Sequence, residues 1–268
     1  MPDDGGYKIS ARYAAVAPEC VERIIAEESR KYKRAAEVDR AVRNRLYQIT
    51  GAYSRPGAAQ KAFERTLADR LAELDSNMGE AETLRWCTEC LAAHTSTRER
   101  LPNIVDFYCY IQTICAGARI VADYGCGLNP FALPMWKPIG LTRYMAYDVD
   151  TRLILHTNAL LSRMGLPEAA QPFDLAARTP TEPADTALLL KLLPVLEAQR
   201  SGRGIEVLKA ISSPIKVVSF PVVGLSGTDR ARRIDGTAAR FEYAALDAGF
   251  VIHESRRIGS EILYVIIT

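Results

Sequence analysis

Three aspartates follow strand-like segments at intervals of about 25 residues: Asp123, Asp148 and Asp174. The first begins the run Asp-Tyr-Gly-Cys-Gly, in which Gly125 and Gly127 have no side chain to keep a ligand away from the backbone. In an open parallel sheet, ligands bind beyond the carboxyl ends of the strands. There, Asp148 can accept hydrogen bonds from both hydroxyls of a ribose, and Asp174 lies within reach of an adenine edge. The spacing therefore predicts a nucleoside-binding site.

The turn after the first of these strands distinguishes two classes of nucleoside cofactor. A dinucleotide fingerprint needs the pattern G-x-G-x-x-G, so that a pyrophosphate can rest on the N-terminus of the next helix. Counted from Gly125, the pattern here is G-x-G-x-x-P and ends on Pro130. S-adenosylmethionine has no phosphates and needs only the close approach of the backbone. Together with a predicted antiparallel last strand, the turn favours S-adenosylmethionine over a dinucleotide.

Cys87 and Cys90, with His94 nearby, have the residue types of a zinc site. The surrounding segment, GEAETLRWCTECLAAH, has the pattern of a helix on which these three positions share one face. No second ligand pair follows at zinc-finger spacing. A helical core face is therefore the favoured interpretation, and we predict no metal.

The bulk composition is that of a globular protein that stays in the cytoplasm. Apolar residues make up 48% of the chain and charged residues 25%, as in ordinary soluble domains. No run of about 18 apolar residues is present, so we predict no membrane span. The first residues lack the basic and apolar segments of an export signal. The six cysteines are more typical of buried thiols in a reducing compartment than of disulfides.

The net charge of +2 is too small to indicate a nucleic-acid binder, but the basic residues are clustered. Residues 30–45 hold seven basic side chains against two acidic ones, and residues 229–240 hold four arginines against two aspartates. Such clusters are typical of a surface that contacts a polyanion. A solvated helix face with an exposed loop is the alternative. The side chains that we expect to contact such a polyanion are Lys31, Lys33, Arg34, Arg40, Arg43, Arg230, Arg232 and Arg233.

The elements that must position these residues change in type along the chain. Up to about residue 115, apolar residues recur at helical spacing and predict five helices. From Arg119 onward, strands alternate with helices, which predicts a mainly parallel sheet covered on both faces. Only a short turn separates the last two strand segments, so the final strand should run antiparallel. The boundary between the two parts lies near residues 100 to 118.

Four runs of sequence resemble a known family: HTSTRERLP at 94–102, CGLNPFALP at 126–134, AYDVD at 146–150 and LLLKLLPVLE at 188–197. With EILYVI near the end of the chain, they look like the aminoglycoside-resistance methyltransferases that modify N7 of guanine 1405 in 16S ribosomal RNA. The resemblance implies an α/β, class I (Rossmann-like) methyltransferase fold with an N-terminal all-helical domain. Residues 1–105 would form the helical RNA-recognition domain, and residues 106–268 the domain that binds S-adenosylmethionine.

The same resemblance implies individual contacts with S-adenosylmethionine. Arg98 would bind the methionine carboxylate, Asp148 the ribose, and Asp174 with Leu175 the adenine. Lys191 would lie near the reacting centre. The full set of implied cofactor residues is Tyr53, His94, Arg98, Gly125, Asp148, Asp174, Leu175, Leu190 and Gln199.

The implied reaction needs no general base, because guanine N7 carries an exposed lone pair and the sulfonium of the cofactor is already activated. We therefore predict no catalytic residue. The implied partner is 16S rRNA within the assembled small (30S) ribosomal subunit, with no protein partner. The alternatives are a methyltransferase of another RNA site or of a small molecule, and a non-catalytic RNA-binding protein that retains the fold.

Overall fold

The computed structural model describes residues 13–50, 58–75, 77–222 and 229–268, and of residues 58–61 and 229–235 it describes the backbone alone. Within these ranges the helices before the first strand are α1 (Pro18–Lys31), α2 (Ala35–Thr50), α3 (Ala58–Glu73), α4 (Glu80–Leu91), α5 (Thr95–Arg98) and α6 (Ile104–Ile114). Five of the six were predicted, and the short α5 was not. No helix in the described ranges is long and apolar enough to cross a membrane.

The rest of the chain forms a seven-stranded sheet with helices between the strands. The strands are β1 (Ile120–Tyr124), β2 (Arg143–Asp148), β3 (Ala170–Pro172), β4 (Thr186–Leu190), β5 (Ile215–Pro221), β6 (Val251–Ile258) and β7 (Glu261–Ile267). The helices are α7 (Leu133–Trp136), α8 (Thr151–Arg163), α9 (Leu193–Gln199), α10 (Arg203–Ala210) and α11 (Asp229–Asp247). The strand order is β3-β2-β1-β4-β5-β7-β6, and β7 runs antiparallel to both of its neighbours. The predicted mainly parallel sheet with an antiparallel last strand is confirmed.

Successive residues of the strands pack on opposite faces of the sheet. Val121 and Val217 belong to one hydrophobic cluster, whereas Ala122 and Val218 belong to the other. All five residues of β4 are buried. This is the pattern expected of a central parallel strand that is covered by helices on both faces.

The helices at the start of the chain divide between two hydrophobic cores. Residues 13–50, which we call the α1–α2 module, pack around their own cluster, including Val42 and Leu46. Side chains of α3, α4 and α6, such as Leu67 and Trp86, instead join the cluster on one face of the sheet. The helical domain proposed for residues 1–105 thus includes one separate core and one that is shared with the sheet.

Helix α4 is shorter than the sequence pattern predicts, because it ends at Leu91. The Thr97 hydroxyl donates a hydrogen bond to the carbonyl of Leu91 at 2.6 Å, and His94 has an extended backbone (φ −122°, ψ 136°) that interrupts the helical path. His94 therefore lies outside α4, at the start of α5, and its predicted place on the α4 face is wrong. Cys87 and Cys90 lie fully buried in the core, as the favoured interpretation predicted.

Candidate active site

A cleft lies at the carboxyl ends of the parallel strands. Its empty volume, including the part open to solvent, is about 840 Å³. The predicted residues that line it are His94, Gly125, Asp148, Asp174, Leu175, Leu190, Lys191 and Gln199. The structure thus brings together side chains from four separate segments of the sequence. Tyr53, also predicted for this site, lies outside the described residues.

The turn that follows β1 forms the floor of the cleft. Gly125 and Gly127 have φ angles of +65° and +51°, a conformation that residues with a Cβ rarely adopt. The amide of Gly125 donates to the carbonyl of Tyr147 at 2.7 Å, which fastens the turn to β2. A Cβ on Gly125 would lie 2.7 Å from Cδ1 of Leu192. Only glycine therefore lets the backbone sit this close to the end of β4 while facing a ligand.

Asp148 is held by backbone groups on both of its oxygens. The amide of Gly127 donates to Oδ2 at 2.8 Å, and the amide of Asp150 donates to Oδ1 at 2.9 Å. Burial raises the pKa of Asp148 to about 6, although these two donors oppose the shift. A carboxylate oxygen can accept more than one hydrogen bond, and Asp148 lines the cleft. The carboxylate is therefore fixed in orientation and able to accept two further hydrogen bonds, as two ribose hydroxyls would require.

Asp174 is almost fully buried and is paired with a residue that the sequence did not indicate. Arg23 of α1 donates from Nε to Oδ2 of Asp174 at 2.7 Å and from a terminal nitrogen to Oδ1 at 3.2 Å. The amide of Ala176 also donates to Oδ1, at 3.0 Å. The next residue, Leu175, is held through its carbonyl by Nε of Arg203 at 2.9 Å. The loop predicted to bracket an adenine is thus fixed from two sides.

Lys191, at the end of β4, has an unusual backbone and a fully engaged side chain. Its φ of +58° is uncommon for a residue with a Cβ. Its Nζ lies 2.7 Å from Oε2 of Glu99, 3.0 Å from the carbonyl of Ser96 and 3.4 Å from Oε2 of Glu261. The ammonium is thus anchored between two carboxylates at the edge of the cleft.

Beneath the cleft, a buried polar network joins three of the sequence runs that indicated the family. Arg100 forms a two-bond ion pair with Glu261, at 2.9 Å for each bond, and also donates to Oδ1 of Asn129 at 3.2 Å. The side-chain amide of Asn129 donates from Nδ2 to Oδ2 of Asp123 at 2.9 Å, and the hydroxyl of Tyr144 donates to the same oxygen at 2.7 Å. Burial raises the pKa of Asp123 to about 6, against the effect of both donors. Asp123 therefore supports the floor of the site and does not line the cleft.

Arg98 is the one described member of the predicted cofactor set that does not line the cleft. Its side chain is exposed at the end of α5 and has no ion-pair partner among the described residues. Arg100, two positions later, is buried instead. Binding of a carboxylate by Arg98 therefore remains a prediction, and the buried role of Arg100 was missed.

The α1–α2 module also contributes to the cleft, which the sequence did not indicate. Cys20 of α1 and Ile49 and Thr50 at the end of α2 are among its lining residues. The helical spacing of the apolar residues in α1 and α2 predicted that they are buried. A single sequence does not show which buried residues also lie against a ligand. Thr50 directly precedes the segment that contains the predicted Tyr53.

The cysteine pair on α4 has the properties of core thiols. Burial raises the pKa of Cys87 to about 12, and it also raises the pKa of Cys90. Metal binding requires the thiolate form. Among the described residues, no group of three or more His, Cys, Asp or Glu side chains is arranged to hold a metal ion.

The basic side chains predicted to contact RNA on α1, on α2 and in the loop between them are exposed. They are Lys31, Lys33, Arg34, Arg40 and Arg43, which we call the basic face. Two of them have acidic neighbours: Lys31 lies 2.8 Å from Glu28, and Arg43 is paired with Asp39. The second predicted cluster, Arg230, Arg232 and Arg233, lies on α11, where the structure does not describe the side chains.

Comparison with known proteins decides the family. A family model described as ribosomal RNA methyltransferase (FmrO) matches residues 9–265. The chain belongs to this family. The expected resemblance is thereby confirmed over nearly the whole chain, including the α1–α2 module.

Members of the FmrO family with similar sequences carry one common name, 16S rRNA (guanine(1405)-N(7))-methyltransferase. The relative from Micromonospora echinospora is 36% identical over 262 residues, which are 96% of this chain and 92% of that protein. The relative from Serratia marcescens is 30% identical over 259 residues, 96% of this chain and 94% of that protein.

Two solved structures of 16S rRNA methyltransferases confirm the class I fold. RmtF, solved in complex with S-adenosyl-L-homocysteine, superposes with a TM-score of 0.80 at 32% identity and covers 96% of this chain and 94% of its own. RmtB superposes with a TM-score of 0.76 at 29% identity and covers 97% of this chain and 94% of its own.

Proposed function

We propose that this member of the FmrO family transfers a methyl group from S-adenosylmethionine to N7 of guanine 1405 in 16S rRNA, within the assembled small ribosomal subunit. Support comes from the relatives of that name, which align over 96% of this chain. The structural observation that carries the proposal is the cleft at the strand ends, where Asp148 is already fixed by two backbone donors.

The residues present fit S-adenosylmethionine. Gly125 and Gly127 form a cradle that a Cβ would fill, and Asp148 presents two oriented acceptors for the ribose hydroxyls. Asp174 and Leu175 would hold the adenine, and Arg98 would reach the methionine carboxylate from the exposed end of α5. The relative RmtF was solved with S-adenosyl-L-homocysteine, the product that this reaction leaves.

S-adenosylmethionine supplies an activated methyl group when bound, so the protein has to position N7 in line with it and exclude water. Such positioning can lower a reaction barrier by about 7–11 kcal/mol. No proton has to leave N7, and no side chain of the cleft is needed as a base. As the purine becomes cationic, Glu99 and Glu261 neutralise Lys191 at the edge of the cleft. This pairing keeps an unscreened ammonium away from the developing positive charge.

Recognition of the RNA falls to the basic face and to the arginines of α11. The N7 atom of a guanine in an RNA helix lies in the deep, narrow major groove, which side chains cannot read. The target must therefore be splayed out of its helix, and its location must be recognised by shape and by phosphate contacts. An assembled subunit in the cytoplasm presents that shape. The methylated guanine is bulkier and cationic, which would weaken the binding of aminoglycosides and give resistance.

Methyl transfer from radiolabelled S-adenosylmethionine tests the proposal directly. Intact small subunits should be labelled, whereas naked 16S rRNA and a panel of small molecules should be labelled weakly or not at all. Cells that express the protein should also survive aminoglycosides that bind the decoding site. Labelling of naked RNA as fast as of subunits would contradict recognition of the assembled particle, and labelling of a small molecule alone would contradict an RNA substrate.

A further inference from the structure

The α1–α2 module is joined to the sheet mainly by polar contacts. Its hydrophobic cluster is separate from both clusters of the sheet, and Val149 is the half-buried apolar side chain from the sheet side that packs against it. A module with its own core can shift as a unit if few contacts hold it. The contacts that hold it therefore decide where its basic face stands relative to the cleft.

One of these contacts adjoins the ribose-binding position. The amide of Ala17 donates to the carbonyl of Val149 at 2.8 Å, and the amide of Thr151 donates to the carbonyl of Ala15 at 2.8 Å. Val149 directly follows Asp148. The segment before α1 is thus paired with the loop that carries the ribose carboxylate.

A second polar contact is the ion pair between Arg23 of α1 and Asp174. Two hydrogen bonds join them, and a terminal nitrogen of Arg23 donates a third bond to Oε1 of Gln199 at 2.9 Å. The side chains of Arg23 and Asp174 are only 16% and 2% exposed. Both acceptors of Arg23 on the sheet side line the cleft. The half-buried guanidinium of Arg23 therefore connects the module to the adenine end of the site.

The module in turn carries surfaces for both substrates. Cys20, Ile49 and Thr50 form part of the cleft wall, so a cofactor is fully enclosed only while the module is docked as it is in this structure. The basic face lies on the same two helices and the loop between them, so RNA meets it in the correct place only in that docked position. Both ligands therefore favour the same arrangement of the two parts.

We propose that Arg23 is a positioning residue that fastens the α1–α2 module to the sheet and thereby sets the affinity for cofactor and for RNA together. The inference rests on the proposed function. In the wild-type protein the docked arrangement is fully populated, so each ligand binds without having to close the structure. Without Arg23, each ligand binds more weakly in proportion to the docked fraction that remains. Either ligand then restores the docked state for the other, because coupling between two sites is reciprocal.

The test compares Arg23→Met with wild type in four binding measurements. They are the affinity for S-adenosylhomocysteine, with and without saturating small subunits, and the affinity for small subunits, with and without saturating S-adenosylhomocysteine. We expect Arg23→Met to lose affinity for each ligand alone by a similar factor, within about 5- to 150-fold. Saturation with the other ligand should return most of that loss. In the wild type, neither ligand should change the affinity for the other by more than about twofold.

Two further variants separate this role from a merely structural or local one. Arg23→Lys keeps the charge with one donor group and should show the same pattern with smaller losses. Asp174→Asn removes the other half of the pair and should weaken the binding of subunits even without cofactor, which a residue that contacts adenine alone would not do. Arg143→Met, which breaks an exposed ion pair with Glu182, is the control and should change none of the four affinities.

If Arg23→Met lost affinity for only one ligand, or if saturation with the other ligand did not restore the lost affinity, the proposed coupling would be wrong. If wild-type protein binds S-adenosylhomocysteine but not small subunits, the proposed RNA substrate fails, and the RNA half of the inference fails with it. Normal methylation of subunits by the wild type, with unaltered affinities in Arg23→Met and Asp174→Asn, would refute the inference alone.

Discussion

The strand-end cleft and the basic face of the α1–α2 module are built by opposite means. In the cleft, Asp148 and Lys191 are each held by two or more hydrogen bonds, and a buried ion pair lies beneath them. On the basic face, the side chains are exposed, and two of them pair with carboxylates of their own helices, the buried Glu28 and the partly exposed Asp39. A site that must orient one small molecule needs fixed groups, whereas contact with phosphates needs only charge in the right region. Substitutions in the two regions should therefore differ in size and in kind.

The largest effect on stability is expected beneath the cleft. The side chains of Arg100 and Glu261 are 3% and 1% exposed, so Arg100→Met would leave the buried carboxylate without its two-bond partner, with Lys191 and Ser219 remaining beside it. We expect the free energy of unfolding to fall by about 3–5 kcal/mol, measured by denaturant titration. The exposed pair of Arg143 and Glu182 supplies the comparison, because Arg143→Met should cost about 1 kcal/mol or less. Equal losses in the two variants would remove the distinction between the buried network and the surface.

The next largest effect is expected for the ribose carboxylate. Asp148→Ala removes two charge-assisted hydrogen bonds to the cofactor, each worth about 1.5–3 kcal/mol. The affinity for S-adenosylmethionine, measured by calorimetry, should fall tenfold or more.

Asp185 provides a matched control for that substitution. It also accepts two backbone amides, from Arg119 and Ile120 at 2.8 Å each, but at the opposite end of the sheet. Asp185→Ala should lower stability and leave the affinity for the cofactor unchanged. Unchanged affinity in a folded Asp148→Ala protein would remove Asp148 from the site.

The affinity for the cofactor should also depend on pH. Because the pKa of Asp148 is raised to about 6, acidification below pH 6 protonates the group that accepts from the ribose. We expect the affinity for S-adenosylhomocysteine to fall by up to about tenfold per pH unit there. A carboxyl pKa that is higher in the folded than in the unfolded state makes acidification favour the folded state, so this group does not cause unfolding. The Asp148→Asn variant should bind S-adenosylhomocysteine weakly, but its affinity should not fall with pH in this way. An equally steep dependence on pH in this variant would show that Asp148 is not the group that titrates.

The smallest effects are expected on the basic face, and they should appear in the salt dependence of binding. Arg40→Gln should reduce the slope of log affinity for small subunits against log salt concentration by about one unit. Arg43→Gln should reduce it less, because Asp39 already neutralises part of that charge. Filter binding across a salt series measures both slopes. If neither slope differs from that of the wild type, the basic face is only a solvated helix surface.

The sequence predicted those parts of the site that are determined locally. The alternation of strands and helices was enough to assign the glycines of the β1 turn and the carboxylate at the end of β2 to the site. In a parallel sheet, the carboxyl ends of the strands lie at one edge. Arg23 and Arg100 could not be assigned, because their partners Asp174 and Glu261 lie 151 and 161 residues away. His94 was placed on the wrong element, because its backbone is extended and interrupts the helix, although the pattern of residue types continues through it.

The number of basic residues in a segment predicted the RNA-binding surface less reliably than the apolar spacing predicted the buried face of the helix. The apolar residues that recur at helical spacing on α2, which are Val38, Val42, Leu46 and Ile49, are buried, and this leaves Arg40 and Arg43 exposed. However, the count over residues 30–45 omitted two acidic residues that lie just before it. Glu28 pairs with Lys31, and Glu27 and Glu28 both pair with Arg45, whose side chain is only 13% exposed. The charge available to RNA is therefore smaller than the sequence indicated.

The position of the methyl group on the RNA tests the account most directly. Small subunits would be incubated with the protein and S-adenosylmethionine, and their 16S rRNA would then be reduced and treated with aniline, which cleaves the chain at N7-methylguanine. Primer extension should show a single new stop at nucleotide 1405, absent without cofactor and strongly reduced with Asp148→Ala. A methyl group at another nucleotide or on another atom, or no cleavage despite full cofactor binding, would contradict the account.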